Sequence, residues 1–268
     1  MPDTALMYLD LLKKVLTRTV APERYIPLRP KNPIKRSVNT ALGSLGYELV
    51  RVNVYKPEDR DVGLDWPSEA ETMIGMKRLD NLQQCVESVV KDDVPGDLIE
   101  TGVWRGGASI LMRACLKAFG DARRTVWVAD SFQGLPRPNE AEYPADAGDK
   151  HWTYDNLGVS LEDVQANFRK YGLLDEQVRF LKGWFKDTLP QVPVSAFSLL
   201  RLDGDMYEST IQALDALYPK LSVGGFCIID DYKLPGCKSA VDDYRARTRI
   251  TEQIVPVDWT GVYWRRET

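Results

Sequence analysis

The spacing of apolar residues changes character near residue 96. Before that point the pattern is helical: residues 4–19 repeat apolar positions every three to four residues behind Thr4, a plausible N-cap, and residues 77–90 place Leu79, Leu82, Val86, Val89 and Val90 on one face. After it, short continuous apolar runs at 97–101, 125–130, 177–181, 197–202 and 226–230 read as buried strands. Helical patterns separate them, from Gly107 through Phe119, then at 161–171, 208–219 and 239–248. Residues 252–257 and 262–265, joined across Thr260-Gly261, read as a hairpin closing the sheet edge. Strands alternating with helices predict an α/β, doubly wound, Rossmann-like fold: a mostly parallel seven-stranded sheet with a terminal antiparallel hairpin and an N-terminal helical extension.

Two strands end in a way that core packing does not require. The run Leu199-Leu200-Arg201-Leu202 stops at Asp203-Gly204-Asp205, and Phe226-Cys227-Ile228-Ile229 stops at Asp230-Asp231. Both pairs belong at the carboxyl ends of parallel strands, the edge where open α/β sheets bind ligands. Acids gathered there repel one another unless something positive lies among them, and donors that are all oxygen favour a hard divalent cation such as Mg²⁺ over zinc. The alternative is that Asp203 or Asp230 caps the helix that follows.

Gly102, Gly106 and Gly107 occupy a strand-to-helix turn, where a ligand approaches the backbone closely or the turn itself needs positive φ. A dinucleotide diphosphate would disfavour the acids nearby, Glu100 and Asp203. Asp130 ends the second strand, where an acid takes both hydroxyls of a ribose. A ribose with positive charge and no diphosphate describes S-adenosylmethionine.

These residues also carry a resemblance. Glu100-Thr101-Gly102-Val103-Trp104-Arg105-Gly106-Gly107, Asp130-Ser131-Phe132-Gln133-Gly134-Leu135-Pro136, Arg201-Leu202-Asp203-Gly204-Asp205-Met206-Tyr207-Glu208-Ser209 and Ile229-Asp230-Asp231-Tyr232 are similar, in order, to motifs of the macrocin O-methyltransferase family. The resemblance covers roughly residues 57–266. It implies the class I methyltransferase fold and an S-adenosylmethionine- and Mg²⁺-dependent enzyme that methylates a sugar hydroxyl, at a vicinal diol, on a glycosylated natural product. By position it implies Asp203, Asp230 and Asp231 as metal ligands and Asp205 as general base; His151, the only histidine, is the competing base on its own chemistry. The donor site it implies comprises Thr72, Met73, Glu100, Thr101, Gly102, Arg105, Gly106, Ser109, Asp130, Ser131 and Asp203. Gly183, Trp184 and Phe185 would wrap the adenine, unless the two aromatics are ordinary core residues. Residues 61–78, Arg78 included, resemble the family's lid. Residues 137–156, with His151, Trp152 and Tyr154, resemble its substrate-covering insertion. A catechol-type O-methyltransferase acting on a small phenol, and a non-catalytic nucleoside-binding protein of the same fold, are the alternatives.

The division expected is thus an arm over 1–56 and a methyltransferase domain over 57–268. In the arm, Pro22, Pro27, Pro30 and Pro33 punctuate an irregular stretch bearing Arg24, Arg29, Lys31, Lys35 and Arg36. With 35 basic against 39 acidic residues and a net charge of −4, the whole chain is a poor partner for nucleic acid or an anionic membrane. The helix over 4–19 and the arm are therefore expected to pack against a second subunit, in a homodimer or larger assembly. No apolar run approaches the ~20 residues that span a bilayer, so a cytoplasmic protein is the expectation. Cys85, Cys115, Cys227 and Cys237 lack metal or disulfide spacing and read as reduced thiols.

Overall fold

A computed structural model describes residues 3–28 and 32–268. Arg29, Pro30 and Lys31 of the basic arm lie outside the described residues. The sheet is built from the expected runs: β3 (Asp97–Thr101), β4 (Val126–Asp130), β5 (Val178–Lys182), β6 (Phe197–Leu202), β7 (Leu221–Ile229), β8 (Val255–Pro256) and β9 (Val262–Arg265). Their order is β5-β4-β3-β6-β7-β9-β8, parallel from β5 to β7 and antiparallel where β9 pairs with β7 and β8. Consecutive side chains of a strand point to opposite faces, and the core divides accordingly. Leu98, Val126, Val128, Leu199 and Ile228 pack under α4 (Met76–Lys91), α5 (Gly107–Ala118) and α6 (Leu161–Lys170). On the other face Ile99, Leu200, Leu202, Cys227, Ile229 and Trp264 pack against α8 (Tyr207–Leu217) and α9 (Pro235–Thr248).

The parallel register fixes the site. Thr101 lies beside Leu202 and Leu202 beside Ile229, so Gly102, Asp203 and Asp230 leave three neighbouring strands at one level. The backbone ladder continues one step beyond, with Gly102 N donating to Ala129 O, Asp203 N to Thr101 O and Asp230 N to Leu202 O, each at 2.9 Å.

Two expectations for the N-terminal region need correction. The helix observed, α1 (Asp3–Leu16), does have a place in this chain's own core: Leu9, Leu12 and Leu16 are buried with Leu79 of α4 and Met112 of α5, while Leu6, Met7 and Leu11 are exposed. The arm is not irregular either. It contains a two-stranded antiparallel sheet of β1 (Tyr25–Pro27) and β2 (Val50–Val52), then α2 (Pro33–Ser44) and α3 (Pro57–Val62). The helix start was written in the sequence, since Asn32 accepts from Ile34 N at 3.0 Å and Lys35 N at 3.3 Å with Pro33 at the first helical position. The run at 226–230 is also longer than expected, because β7 starts at Leu221 and passes through Gly224-Gly225 at a register shift. All four cysteines are buried free thiols, and burial pushes those of Cys85, Cys115 and Cys227 up.

One arm residue ties this region to the site. The Glu23 carboxylate accepts from Ser68 N at 2.7 Å, Ser68 Oγ at 2.6 Å, Glu69 N at 2.6 Å and Ala70 N at 3.2 Å. Burial alone would raise its pKa, but these donors favour the charged form more strongly and hold it below the usual glutamate value. A carboxylate with a depressed folded pKa stabilises above its unfolded pKa, and that stability is lost as pH falls through the folded value. Glu23→Gln should therefore cost about 1.5–3 kcal/mol in urea unfolding at pH 7, the worth of hydrogen bonds to a charged group. Wild type and variant should converge below the ordinary glutamate range. A difference independent of pH would remove the charge from the account.

Candidate active site

The centre of the site is a cation that the strand pattern carried in plain sight. Arg201 lies opposite Glu100 in the β3–β6 register, and side chains two apart share a face, so Arg201, Asp203, Glu100 and Asp230 all point to the side covered by α4 and α5. Arg201 is 2 % exposed. Its Nη1 donates to Glu100 Oε1 at 2.6 Å and to Asp203 Oδ2 at 2.9 Å, and its Nη2 to Asp230 Oδ1 at 2.5 Å. Burial works against its charge, but Asp230, Glu100 and Asp203 outweigh it and raise its pKa. A charge inside an otherwise apolar strand was the available signal, and no role was expected for it. Arg78, expected only as part of the lid, makes a second cationic contact. From the first turn of α4 it reaches the remaining Asp230 oxygen and, at 2.9 Å, Asp258 in the loop before β9.

Asp203, Asp205 and Asp231 each offer an oxygen within 4.8 Å of the others. Asp205 has φ +57°, a left-handed conformation that Asp tolerates better than most residues, and its N–H donates to Asp231 Oδ2 at 3.2 Å. Burial, then the neighbouring Asp203 charge, pushes Asp205 up to about 7, with His151 acting in the opposite direction. Burial and the other acids likewise raise Asp203 and hold Asp231 well above the usual carboxylate range. Three oxygens converging at this distance, in carboxyls whose charged forms burial and mutual repulsion disfavour, fit a hard divalent cation. The expected set is thus only partly brought together: Asp203 and Asp231 converge with Asp205, while both oxygens of Asp230 are taken up by guanidinium groups.

The glycine turn lies beside this cluster. Gly102 has φ +77°, and a Cβ there would stand 1.7 Å from Asp203 O, so the glycine is required by the approach of β6 itself. Asp130 accepts from Val103 N and Phe132 N, both at 2.7 Å, and burial raises its pKa. Ser131 Oγ also donates to Asp130 Oδ1, at 3.4 Å. Glu100 accepts from Ser109 Oγ as well as from Arg201, and burial pushes it up to about 7.

A cleft of 320 Å³ joins these groups. Of the expected residues, Thr72, Met73, Glu100, Gly102, Asp130, Ser131, His151, Gly183, Trp184, Phe185, Asp203, Asp205, Asp230 and Asp231 line it. Thr101, Arg105, Gly106 and Ser109 are not among its lining residues. Thr101 is buried, Ser109 stands behind Glu100, Gly106 is the N-cap of α5, and Arg105 Nη1 donates to Ala70 O at 2.9 Å. Trp66 lines it from the expected lid, while Trp259 and Thr260 line it without having been anticipated. The last two come from the connection between β8 and β9, which the hairpin pattern marked only as a turn.

His151 sits in the excursion between β4 and α6. Its Nδ1 pairs with Asp149 Oδ2 at 2.6 Å, and its ring meets Tyr154 edge-on at 5.6 Å between centroids. Tyr154 in turn meets Trp66 edge-on at 6.1 Å, joining the excursion to the segment over the donor side. Among the described residues, no helix is long and apolar enough to cross a membrane.

Comparison with known proteins identifies the family. The family model described as macrocin-O-methyltransferase matches residues 5–266. The demethyldecarbamoylnovobiocin O-methyltransferase of Streptomyces niveus is 51 % identical over 265 residues, covering 97 % of this chain and 93 % of that protein. The mycinamicin III 3''-O-methyltransferase of Micromonospora griseorubida is 49 % identical over 269 residues, covering 99 % and 98 %. The solved structure of the O-methyltransferase NovP superposes with a TM-score of 0.86 at 49 % identity, covering 98 % of this chain and 100 % of that one. The chain therefore belongs to the macrocin-O-methyltransferase family and is an O-methyltransferase with the class I methyltransferase fold.

Proposed function

We propose that this enzyme transfers the methyl group of S-adenosylmethionine to a sugar hydroxyl, one of a vicinal pair, on a glycosylated natural product, with a divalent cation such as Mg²⁺. The observation that carries the reading is the meeting, in one cleft, of the Asp203–Asp205–Asp231 cluster with Glu100 and Asp130. Relatives of about 50 % identity named for a novobiocin precursor, a rhamnosyl-tetracenomycin and a mycinamicin support the acceptor class.

In this reading Asp130 holds the ribose hydroxyls while Val103 N and Phe132 N fix its carboxylate. Trp184 and Phe185, past the end of β5, flank the adenine. Glu100 and Asp203 face the donor's positive charge. Asp203 and Asp231 would hold the cation, with Asp230, the third ligand expected, bonded by Arg201 and Arg78 in this structure. A hard cation in that position supplies Lewis acidity that makes an acceptor hydroxyl easier to deprotonate. Asp205 takes the proton, since a carboxylate poised near 7 matches the task at neutral pH. His151, oriented by Asp149, faces the acceptor. Methyl transfer needs donor, methyl and acceptor in line, so holding both partners on one sheet edge is itself a large part of the catalysis.

The arm enters as a subunit contact. Ile34, Val38, Leu45, Tyr47, Val52 and Val54 are exposed on it, and α2 buries none of its residues within this chain. That face suits a second copy, in a homodimer or larger assembly, and light scattering that gives the monomer mass would contradict it.

Two acids one glycine apart should separate by role. Asp203→Asn should lose Mn²⁺ affinity as well as rate, whereas Asp205→Asn, which keeps an oxygen toward the cluster, should retain S-adenosylhomocysteine and most Mn²⁺ binding in titrations and lose ~10²–10⁴-fold in kcat, the range for a missing general base. Asp130→Ala, in the same titrations, should weaken the donor analogue by about 1.5–3 kcal/mol. Near-normal turnover in Asp205→Asn alongside a collapse in His151→Ala would transfer the base to His151.

The cation should be needed for turnover, not for folding, because the ligands stand on strands already fixed by the core. EDTA should abolish methyl transfer while the protein stays folded. The sign of the accompanying pH effect follows from Glu100 and Asp205, both raised to about 7 chiefly by burial. A raised folded pKa gives stability that is present below the unfolded value and lost as pH rises through the folded one. In EDTA the melting temperature should therefore decline between the ordinary carboxylate range and neutrality, and Mg²⁺ should reverse the decline at pH 7–8. Full activity in EDTA, or a flat profile, would sink the assignment.

A further inference from the structure

The excursion between β4 and α6 is not a free loop. Its ends are pinched together: a Cβ on Gly134 would stand 3.3 Å from Gly158 N, and one on Gly158 would stand 3.2 Å from Gln133 O. Chain segments whose ends meet in this way form compact surface loops packed by their own side chains. This one is also fastened in its middle. Asp146, closing the short turn Pro144–Asp146, is 3 % exposed, and its Oδ1 and Oδ2 accept from Tyr207 N at 2.6 Å and Glu208 N at 2.9 Å. Those N–H groups begin α8, whose own N-cap residue, Met206, offers no side-chain acceptor. The cap of α8 is therefore supplied from sixty residues away in the chain, by a carboxylate at the positive end of the helix. The Tyr143 and Tyr207 rings add a tilted contact at 6.1 Å between centroids.

The position of this fastening matters because of what lies on either side. On the helix side, Tyr207 follows Asp205 by two residues. On the loop side, Gly148 at φ +81° re-aims the chain, and Asp149 then pairs with His151, which lines the cleft together with Asp205. The backbone N–H of His151 also donates to Asp149 Oδ1 at 2.8 Å, so the pair moves as a unit. Gly148 N donates to Glu140 Oε1 at 3.2 Å, but this contact is exposed and surface-screened.

We propose that Asp146 is a positioning residue for the acceptor half of the site: by capping α8 it fixes the Asp149–His151 pair against the turn that carries Asp205. The proposal rests on reading residues 137–156 as the acceptor cover, and it assigns the fixing of that cover to one buried side chain. Without it the loop keeps its pinched ends, the donor pocket keeps all its lining residues, and only the inner part of the excursion is released.

The chain's single histidine makes this measurable. Protein labelled with ¹⁵N-histidine, with any histidine tag removed, gives ring signals from His151 alone. In Asp146→Ala those signals should shift from their wild-type positions as the Asp149–His151 pair leaves the cleft as a unit. Trypsin cleavage after the exposed Lys150 should quicken about tenfold, the equivalent of one lost helix cap. S-adenosylhomocysteine affinity should be unchanged. Asp146→Asn, which keeps the volume and one acceptor oxygen, should show the same changes at smaller size, and it decides the matter if the alanine variant does not fold. Unchanged His151 signals and Lys150 cleavage in a folded variant would overturn the proposal. So would a loss of S-adenosylhomocysteine affinity in step with the loop changes, which would mark Asp146 as a general support of the fold. None of these readouts uses an acceptor, so failure of wild type to methylate any glycoside would count against the functional reading alone.

Discussion

One buried guanidinium makes the acidic edge of this sheet tenable. Removing several carboxylates from water costs far more than a marginally stable fold can bear unless opposite charge and hydrogen bonds go with them. Arg201 meets that need from within β6, reaching Glu100 on one neighbouring strand and Asp230 beyond the other, and Arg78 completes the set from α4. The compensation is incomplete by design of the site. Asp203, Asp205 and Asp231 still converge with their charged forms disfavoured, which added positive charge relieves. The architecture that stabilises the protein and the vacancy of charge that gives it a ligand preference are one arrangement.

Much of this was legible in the residues because strand geometry is so regular. Period-two alternation places Glu100, Arg201, Asp203 and Asp230 on one face once the parallel sheet is granted, and the apolar runs granted it. The alternation of strands with helices, the terminal hairpin and the free, buried cysteines followed from the same patterns. What alternation does not disclose is which charged groups pair. The acids at 203, 205, 230 and 231 look alike in sequence, and only the path of Arg78 from a helix 150 residues earlier singles out Asp230 as the one held by two guanidiniums.

The misreadings have a common physical origin. The apolar stripe of α1 is a local signal, silent about whether its partner surface belongs to the same chain, and α4 and α5 proved to be that surface. Prolines in the arm read as interruption, although Pro33 behind Asn32 is a helix start. Asp146 and Asp149 were invisible as site-building residues because loop carboxylates are common, and their importance depends on which distant N–H or imidazole they meet. Trp259 and Thr260 likewise owe their place in the cleft to the pairing of β9 between β7 and β8.

That last pairing has a bearing on how the enzyme comes into being on the ribosome. Arg78 needs Asp258, the cleft needs Trp259 and Thr260, and β9 must slip between β7 and β8 before any of them is in place. A nascent chain that has folded α4 to β7 has no finished cleft until β9 is paired. Until then ligand binding cannot stabilise it, and the buried Arg201 contacts to Glu100 and Asp230 must do so unaided.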